Sequence, residues 1–295
     1  MSGLWQAPRA SSYRRLLSGA MIALAFATLA VLGFTSAGSL AANGYGGGGY
    51  GFGYGCPGYG YGYCPPSQPS TLVLTPETDT NTVDDQHCVL ATVRDAFNNP
   101  TPGINVRFSV AGSVTTTGAV LTNAVGQAQF CYTGPALPGA DLITAYADTD
   151  NDGVNDAAPA DPEDTATKTW VIPANMIGCK VTYGGRITAA NGDKATFGGN
   201  ANGDGPKGNE NYHDHGPARD MHVQSIEIQS VVCNTAGTQA SIFGTSTING
   251  AGTFNFRIDL KDLGEPGSSD TYRIRLSSGY DSGEMTLDGG NVQIH

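Results

Sequence analysis

The 295-residue chain is poor in charged residues, which make up only 14% of it, and basic residues are scarcer than acidic ones, 15 against 26. The formal net charge at pH 7 is −11. Nucleic-acid binding requires a basic face on the protein, so this balance argues against nucleic acid as a partner. Beyond the first forty residues no stretch carries a 3.6-residue apolar repeat, so amphipathic helices are not expected.

Motifs of the common enzyme classes are also lacking. The sequence has no GxSxG nucleophile elbow, no phosphate-binding glycine loop, no zinc-protease helix motif and no spaced pair of CxxC motifs. Carboxylates that are distant in sequence can still converge in a fold, as in glycosidases. Such enzymes usually line their clefts with Trp or Tyr, however, and the only tryptophans here are Trp5 and Trp170. We therefore expect that the protein is not an enzyme.

Short alternating segments with turn residues between them fill residues 69–173. Residues 88–110 alternate between apolar and polar side chains, break at Asn98-Asn99-Pro100 and at Pro102-Gly103, and alternate again. This pattern is typical of strand, turn, strand. Four more strand segments are predicted at residues 71–75, 127–133, 142–147 and 165–171. The spacing predicts an all-β fold that begins with an immunoglobulin-like β-sandwich.

The same residues resemble the bacterial immunoglobulin-like domain of the invasin and intimin type. The resemblance covers about residues 70–172 and rests on four runs: DAFNNPTPGINVRFSV (95–110), GQAQFCYTG (126–134), ITAYAD (143–148) and TATKTW (165–170). It implies a sandwich fold. It also implies adhesion by analogy, because repeats of this module often serve as stalks in adhesins.

The N-terminal residues read as export and tether segments. Arg9, Arg14 and Arg15 precede an apolar run at 16–34, and small residues follow at 39–41, so residues 1–41 are predicted to be a secretory signal peptide. The run is long enough to span a bilayer, so an uncleaved membrane anchor is the alternative. Residues 42–68 are rich in Gly and Tyr and predict a disordered tether. We expect a secreted or cell-surface protein.

Six cysteines in an exported chain predict disulfide bonds. Cys88 and Cys131 fall on the outward parity of their strands, so they can pair across neighbouring strands of one sheet. Cys179 and Cys233 are then the pair of the C-terminal domain. Cys56 and Cys64 either close a small loop or bridge two chains.

The segment DTDNDGVND at residues 148–156 predicts a cation site. Asp148, Asp150, Asp152 and Asp156 offer carboxylate oxygens, and a glycine at 153 allows the sharp turn that a Ca²⁺ loop needs. The twelfth position, where an EF-hand places a bidentate Glu, is Pro159. A possible Ca²⁺ ion is the only cofactor expected, and a solvated acidic loop is the alternative.

A second antiparallel β domain is predicted over residues 174–295. Asn191-Gly192 and Asn249-Gly250 stand between alternating segments and are strong hairpin signals. The runs KATFGGNA (194–201), NYHDHGP (211–217) and DLGEPGSSDTY (262–272), with the closing GGNVQIH, resemble the post-COAP domain of secreted bacterial proteins. This resemblance covers most of residues 178–295 and implies little about function.

The one candidate for chemistry in this domain is a polar segment at residues 200–217. It is predicted to be a loop that contains His213, Asp214 and His215, with His222 nearby in sequence. We expect the two flanking histidines to point to opposite sides if the segment is extended, so that they cannot share a metal without a turn. A structural turn capped by Asp214 is the favoured interpretation. A metal-dependent enzyme that uses these three residues is an alternative function.

The sequence thus predicts an exported, non-enzymatic structural or adhesion protein with a tether, a spacer and a distal β domain. A carbohydrate-binding or cell-wall-binding module is the main alternative. The partners expected are a cell-wall polymer, a glycan or a host or neighbouring surface protein. Contact with a membrane is expected only through an uncleaved N-terminal segment.

Overall fold

The computed structural model describes residues 68–156 and 160–295 of the chain. The predicted signal peptide, nearly all of the predicted tether, Cys56, Cys64 and Pro159 lie outside these residues. Within them the chain forms seventeen strands and no helix, so the all-β prediction is confirmed. The strands of the first half are β1 (Pro69–Thr75), β2 (Thr78–Thr82), β3 (Gln86–Asp95), β4 (Asn105–Gly112), β5 (Thr116–Leu121), β6 (Gln127–Thr133), β7 (Gly139–Asp148) and β8 (Glu163–Val171).

These eight strands form two sheets. One has the order β1-β3-β6 and the other β2-β8-β7-β4-β5. All pairs are antiparallel except β2 with β8, which run parallel. Apolar residues at alternate positions of β3, such as Val89, Ala91 and Val93, are fully buried and face the second sheet. The sandwich therefore follows from the alternation that the sequence shows.

The remaining strands form one long antiparallel sheet of nine strands with the order β16-β15-β14-β13-β12-β11-β10-β9-β17. They are β9 (Lys180–Thr188), β10 (Lys194–Asn202), β11 (Lys207–His215), β12 (Asp220–Cys233), β13 (Gln239–Ile248), β14 (Ala251–Lys261), β15 (Thr271–Leu276), β16 (Met285–Thr286) and β17 (Gly289–Ile294). The sheet curls like part of a barrel and buries one apolar face, which includes Ile242, Ile258 and Ile274.

The turn chemistry of the sequence places the hairpins of this sheet. Asn249 and Gly250 both adopt positive φ, 51° and 75°, between β13 and β14. Such a two-residue turn matches the twist of the flanking strands and favours this residue pair. Asn191 and Gly192 likewise lie in the turn between β9 and β10.

The predicted loop is wrong for most of residues 200–217, but the chain does turn after His215, where the Gly216 amide donates to Asp214 Oδ1 at 3.2 Å as in the predicted Asp214 cap. Residues up to Asn202 continue β10, and Lys207–His215 form β11, which pairs with both β10 and β12. The physical reason is the alternation of Glu210, Tyr212 and Asp214, which are buried, with exposed or half-buried neighbours. Polar residues occupy inward positions here, so the segment looks like a loop in sequence although it forms a strand.

The residues between the two sheet systems are held in place by backbone and side-chain hydrogen bonds. Ser230 Oγ donates to the carbonyl of Pro173 at 2.7 Å, the Val231 amide donates to Asn175 Oδ1 at 2.9 Å, and the Met176 amide donates to the Val231 carbonyl at 2.9 Å. The described residues belong to one compact unit. Hydrogen bonds to β12 therefore fix the position of the segment between β8 and β9.

Candidate functional site

The aspartate loop, residues 148–156, follows β7 at one end of the sandwich. Asp148, Asp150 and Asp152 each offer a carboxylate oxygen, and these three oxygens lie within 4.8 Å of one another. Asp148 is only 2% exposed, whereas Asp150 and Asp152 are exposed. Gly153 has φ of 89° and makes the sharp turn. Three of the four predicted ligands are thus brought together by the loop.

Asp148 anchors this loop. Arg107 Nε donates to Asp148 Oδ2 at 2.6 Å, and the Gly153 amide donates to the same oxygen at 3.1 Å. The other carboxylate oxygen, Oδ1, is buried and has no hydrogen-bond partner. Because a buried unpaired carboxylate oxygen is costly, this atom favours a ligand that supplies positive charge.

Asp156 stands apart from the three converging carboxylates. Its amide donates to Asp161 Oδ2 at 3.2 Å, while Asp161 Oδ1 accepts from the amide and hydroxyl of Thr149. Desolvation raises the pKa of Asp156, and the charges of Asp152 and Asp150 raise it further. The negative field of the loop therefore already favours binding of a proton or another cation.

Two disulfide bonds are present in the described residues. Cys88 and Cys131 lie directly opposite each other on β3 and β6 and are joined. Their side chains stand on the outward face of the sheet, as their parity predicts. Cys179, just before β9, is joined to Cys233 at the end of β12.

The histidines of the HDH segment share one face of β11, so the expectation of opposite sides is wrong. Side chains two positions apart in a strand point the same way. The His213 and His215 rings have centroids 4.1 Å apart, and the ring of His222 on β12 lies 5.3 Å from that of His213. Asp214 points into the core instead and is fully buried.

Buried acids are the feature of the C-terminal sheet that the sequence reasoning missed. Asp214 Oδ2 accepts hydrogen bonds from the Tyr280 hydroxyl at 2.8 Å and from Asn191 Nδ2 at 2.9 Å. Glu210 is 2% exposed, and its Oε1 accepts from the Tyr272 hydroxyl at 2.7 Å. Burial raises the pKa of Glu210 to about 7. Recognition of β11 as a strand would have placed both acids on its inward face.

The sandwich holds a buried cation that was also missed. Lys168 is fully buried, its Nζ lies 2.6 Å from Asp79 Oδ2, and it stands 5.0 Å from the ring centroid of Trp170. His87 Nδ1 lies 3.2 Å from the same Asp79 oxygen. The hydrogen bond from Lys168 lowers the pKa of Asp79. Lys168 lies two positions from both Ala166 and Trp170 on β8, so its side chain points to the same inward face as theirs, and this spacing could have predicted its burial.

A polar cleft of about 370 Å³ opens on the outer face of β9, β10 and β17. Asn291 Nδ2 and Gln293 Nε2 both donate to Glu265 Oε1, at 2.9 and 3.2 Å. Asn291 Oδ1 is buried without a hydrogen-bond partner. The remaining lining residues are Thr182, Tyr183, Gly184, Gly199 and Asn200. Amide and hydroxyl groups in such a cleft can hydrogen-bond to a polar ligand.

No helix among the described residues is long and apolar enough to cross a membrane. No family model matches the chain, and no curated protein matches it. Among solved structures, the Yersinia pseudotuberculosis adhesin InvE is similar at 17% sequence identity with a TM-score of 0.29. The match covers 77% of this chain and 60% of that adhesin. At this distance the likeness assigns no function.

Proposed function

We propose that this chain is an exported, non-enzymatic protein of the cell surface or the extracellular medium. In this proposal the sandwich, residues 69–173, acts as a stiff spacer and carries the C-terminal β domain, residues 174–295. The observation that carries the proposal is the contact between the sandwich and the nine-stranded sheet, which combines a shared hydrophobic core with an ion pair.

Phe243 packs in this contact. It belongs to β13 of the nine-stranded sheet, yet it is 2% exposed and lies in the hydrophobic cluster of the sandwich, which includes Val83 and Trp170. The burial of a Phe side chain stabilises such a contact by about 1.5–3 kcal/mol. The sheet and the sandwich therefore share a core at this point.

Arg257 covers Phe243 and ties the same two parts together. Its guanidinium carbon stands 5.2 Å from the ring centroid of Phe243. Its Nη1 contacts the Asp84 carboxylate of the sandwich, and its Nε donates to Asp259 Oδ1 of its own strand at 2.8 Å. Burial alone would lower the pKa of Arg257, but Asp259 and Asp84 raise it. The contact thus combines apolar burial with a paired charge.

The strand directions place this contact at one end of the sandwich and Pro69, the first residue of β1, at the other end. β1 begins at Pro69, which is paired with Asp95 at the end of β3, whereas β3 begins next to Asp84 at the contact with Arg257. The aspartate loop begins at Asp148, which pairs with Asn105. This loop therefore lies at the same end of the sandwich as Pro69, away from the contact with Arg257. Such an arrangement suits a spacer.

The two disulfide bonds support the exported location, because disulfides persist in oxidising compartments. The proposal is tested by fractionation of native cells into cytoplasm, membrane, wall and medium, with external protease added to intact cells. We expect the chain in the medium, or on the surface and cleaved by the protease, with N-terminal sequencing to define the mature end. A reduced, protease-protected chain in the cytoplasm would contradict the proposal.

We further propose that the aspartate loop binds Ca²⁺ and stiffens the end of the sandwich at which β1 begins. The free buried oxygen of Asp148 supports this proposal, together with the exposed carboxylates of Asp150 and Asp152, since Ca²⁺ prefers several oxygen ligands in a short loop. Arg107 already neutralises one oxygen of Asp148. We therefore expect binding in the millimolar range that is typical of extracellular modules.

The polar cleft favours a second candidate function, the binding of a glycan or a cell-wall polymer. The amide and hydroxyl groups that line the cleft, such as those of Thr182, Asn200 and Gln293, support it, because they can hydrogen-bond to sugar hydroxyls. Pull-down with purified wall polymers and a glycan array would test it. Loss of binding is expected for Asn200→Ala with Gln293→Ala, and retention for Gln129→Ala on the sandwich surface. No enrichment by the parent protein would rule out this candidate.

A further inference from the structure

We propose that His213, His215 and His222 form a binding site for a divalent transition-metal ion that prefers imidazole nitrogen, such as Zn²⁺. The carboxylate of Asp220 is within reach as a fourth ligand. The site lies on the outer face of the nine-stranded sheet, on β11 and β12, and it is separate from the aspartate loop and from the polar cleft.

The strand register brings these side chains together. His213 lies directly opposite His222 on the neighbouring strand, and His215 lies directly opposite Asp220. Directly opposed residues of antiparallel strands have their Cβ atoms about 4.5–5.5 Å apart. His213 and His215 are two positions apart on one strand and share its outer face. The four side chains therefore form a compact square on the surface.

The rings lie close together, although the ligand atoms of three of these side chains do not yet converge within 4.8 Å of one another. The centroid of the His213 ring lies 4.1 Å from that of His215 and 5.3 Å from that of His222. His213 Nε2 lies 3.1 Å from Asp220 Oδ1. Three of the five histidines in the whole sequence are in this patch. Imidazole is the commonest metal ligand of proteins, and three histidines with a carboxylate fit the tetrahedral preference of Zn²⁺.

Each ring already has a polar neighbour that orients it. His215 Nε2 lies 2.9 Å from Thr196 Oγ1, and His222 Nε2 lies 3.0 Å from Asn211 Oδ1. Convergence on one ion therefore requires the rings to turn about their side-chain torsions. All three histidines are exposed or half-buried, so this turn needs no change in the core.

The ligand set favours binding rather than catalysis. Three imidazoles and one carboxylate fill four coordination positions, as in a structural zinc site, whereas a catalytic zinc site keeps one position open for water or substrate. The alternative metal-dependent enzyme required Asp214 as a partner of the two histidines. Asp214 is buried on the other face of β11, bonded to Tyr280 and Asn191, so it cannot reach this ion.

Titration calorimetry of the untagged full chain with ZnCl₂ tests the proposal. We expect one equivalent of Zn²⁺ to bind, with affinity at least about tenfold lower in His213→Gln and in His222→Gln. His295→Gln, which removes a histidine outside the patch, and Asp150→Asn in the aspartate loop are the matched controls and should bind like the parent. Absence of binding, or equal affinity of parent and His213→Gln, would overturn the proposal.

A second measurement does not depend on the variants. Diethylpyrocarbonate modifies accessible histidines, and bound Zn²⁺ should protect His213, His215 and His222 but not His295, as read by peptide mass mapping. Equal modification with and without Zn²⁺ would overturn the proposal. Co²⁺ in place of Zn²⁺ should give a visible absorption spectrum that the His213→Gln variant loses.

Discussion

Glu210 shows how a single buried side chain sets the pH dependence of the C-terminal sheet. Burial raises its pKa to about 7, and the hydroxyl of Tyr272 offsets only part of this effect. An unfolded glutamate has a pKa of about 4.3. Between these values the folded chain keeps a proton that the unfolded chain has lost. The contribution of Glu210 to the free energy of unfolding therefore falls as pH rises through this window.

The substitution Glu210→Gln removes this titration while it keeps an oxygen that can accept from Tyr272. We expect the variant and the parent to have similar stability at pH 4. At pH 8 the variant should be more stable, by on the order of 4 kcal/mol at most. Chemical denaturation of both proteins at the two pH values measures the difference. A difference that does not grow with pH would contradict the role given to Glu210.

Some residue positions were predictable from the sequence, and others were not. Strand parity correctly placed Val89 inward and Cys88 outward, because an unbroken apolar alternation fixes the face of a strand. The same argument failed for Glu210 and Asp214, since inward acids break the apolar pattern. Their partners, Tyr272 and Tyr280, are more than sixty residues away in sequence. No local pattern indicates such pairings.

At the scale of elements, the Cys88–Cys131 disulfide bond links β3 covalently to β6. The two residues are 43 positions apart, and closing a loop of that length in the unfolded chain contributes about 4 kcal/mol in the chain-entropy model. The double substitution Cys88→Ser with Cys131→Ser should lower the free energy of unfolding by up to about that amount. Both side chains face outward, so core packing should survive.

Denaturant titration under oxidising conditions measures this effect, and non-reducing peptide mapping of the parent should recover the two cysteines in one linked fragment. Recovery of either cysteine in a fragment linked to a different cysteine would contradict the pairing.

The aspartate loop is the element whose stability should respond to Ca²⁺. At a Ca²⁺ concentration ten times the dissociation constant, binding adds about 1.4 kcal/mol to the folded state. For a chain of this size, such a gain raises the melting temperature by roughly 3–6 °C. We expect this rise in the parent, none in Asp150→Asn, and the full rise in Asp288→Asn, which removes an acid of the C-terminal sheet. Unchanged melting of the parent at millimolar Ca²⁺ would contradict the site.

Turn chemistry made some elements predictable and hid others. The Asn249-Gly250 pair identified the β13–β14 hairpin because both residues adopt positive φ there. The connection between β10 and β11 has only residues 203–206 outside the strands, and the glycines and asparagines that flank it belong to the strands. Because such residues usually mark loops, the sequence suggested a long loop at 200–217 where the structure has paired strands.

At the scale of the whole molecule, the contact between the sandwich and the nine-stranded sheet was not predictable. Phe243 lies on a strand whose apolar residues alternate, except that Ile242 and Phe243 are both fully buried and therefore serve opposite faces. Ile242 packs in the C-terminal core and Phe243 in the core of the sandwich. Sequence shows the consecutive apolar pair but not the surface that covers its second member.

Truncation of Phe243 should weaken this contact. Phe243→Ala removes a buried ring and leaves a cavity, which typically costs 3–5 kcal/mol. Because the ring packs in the sandwich cluster and not in the core of the C-terminal sheet, the C-terminal sheet should keep its own stability. Ile242→Ala is the matched variant, since it should destabilise the C-terminal sheet itself and leave the contact in place.

The central claim, that the spacer and the C-terminal domain form one coupled body, is tested most directly by differential scanning calorimetry. For the parent chain we expect one transition whose calorimetric enthalpy equals its van't Hoff enthalpy, as for a single cooperative unit. For Phe243→Ala we expect either two separable transitions or a calorimetric enthalpy about twice the van't Hoff enthalpy. A parent protein that already shows two independent transitions would contradict the claim.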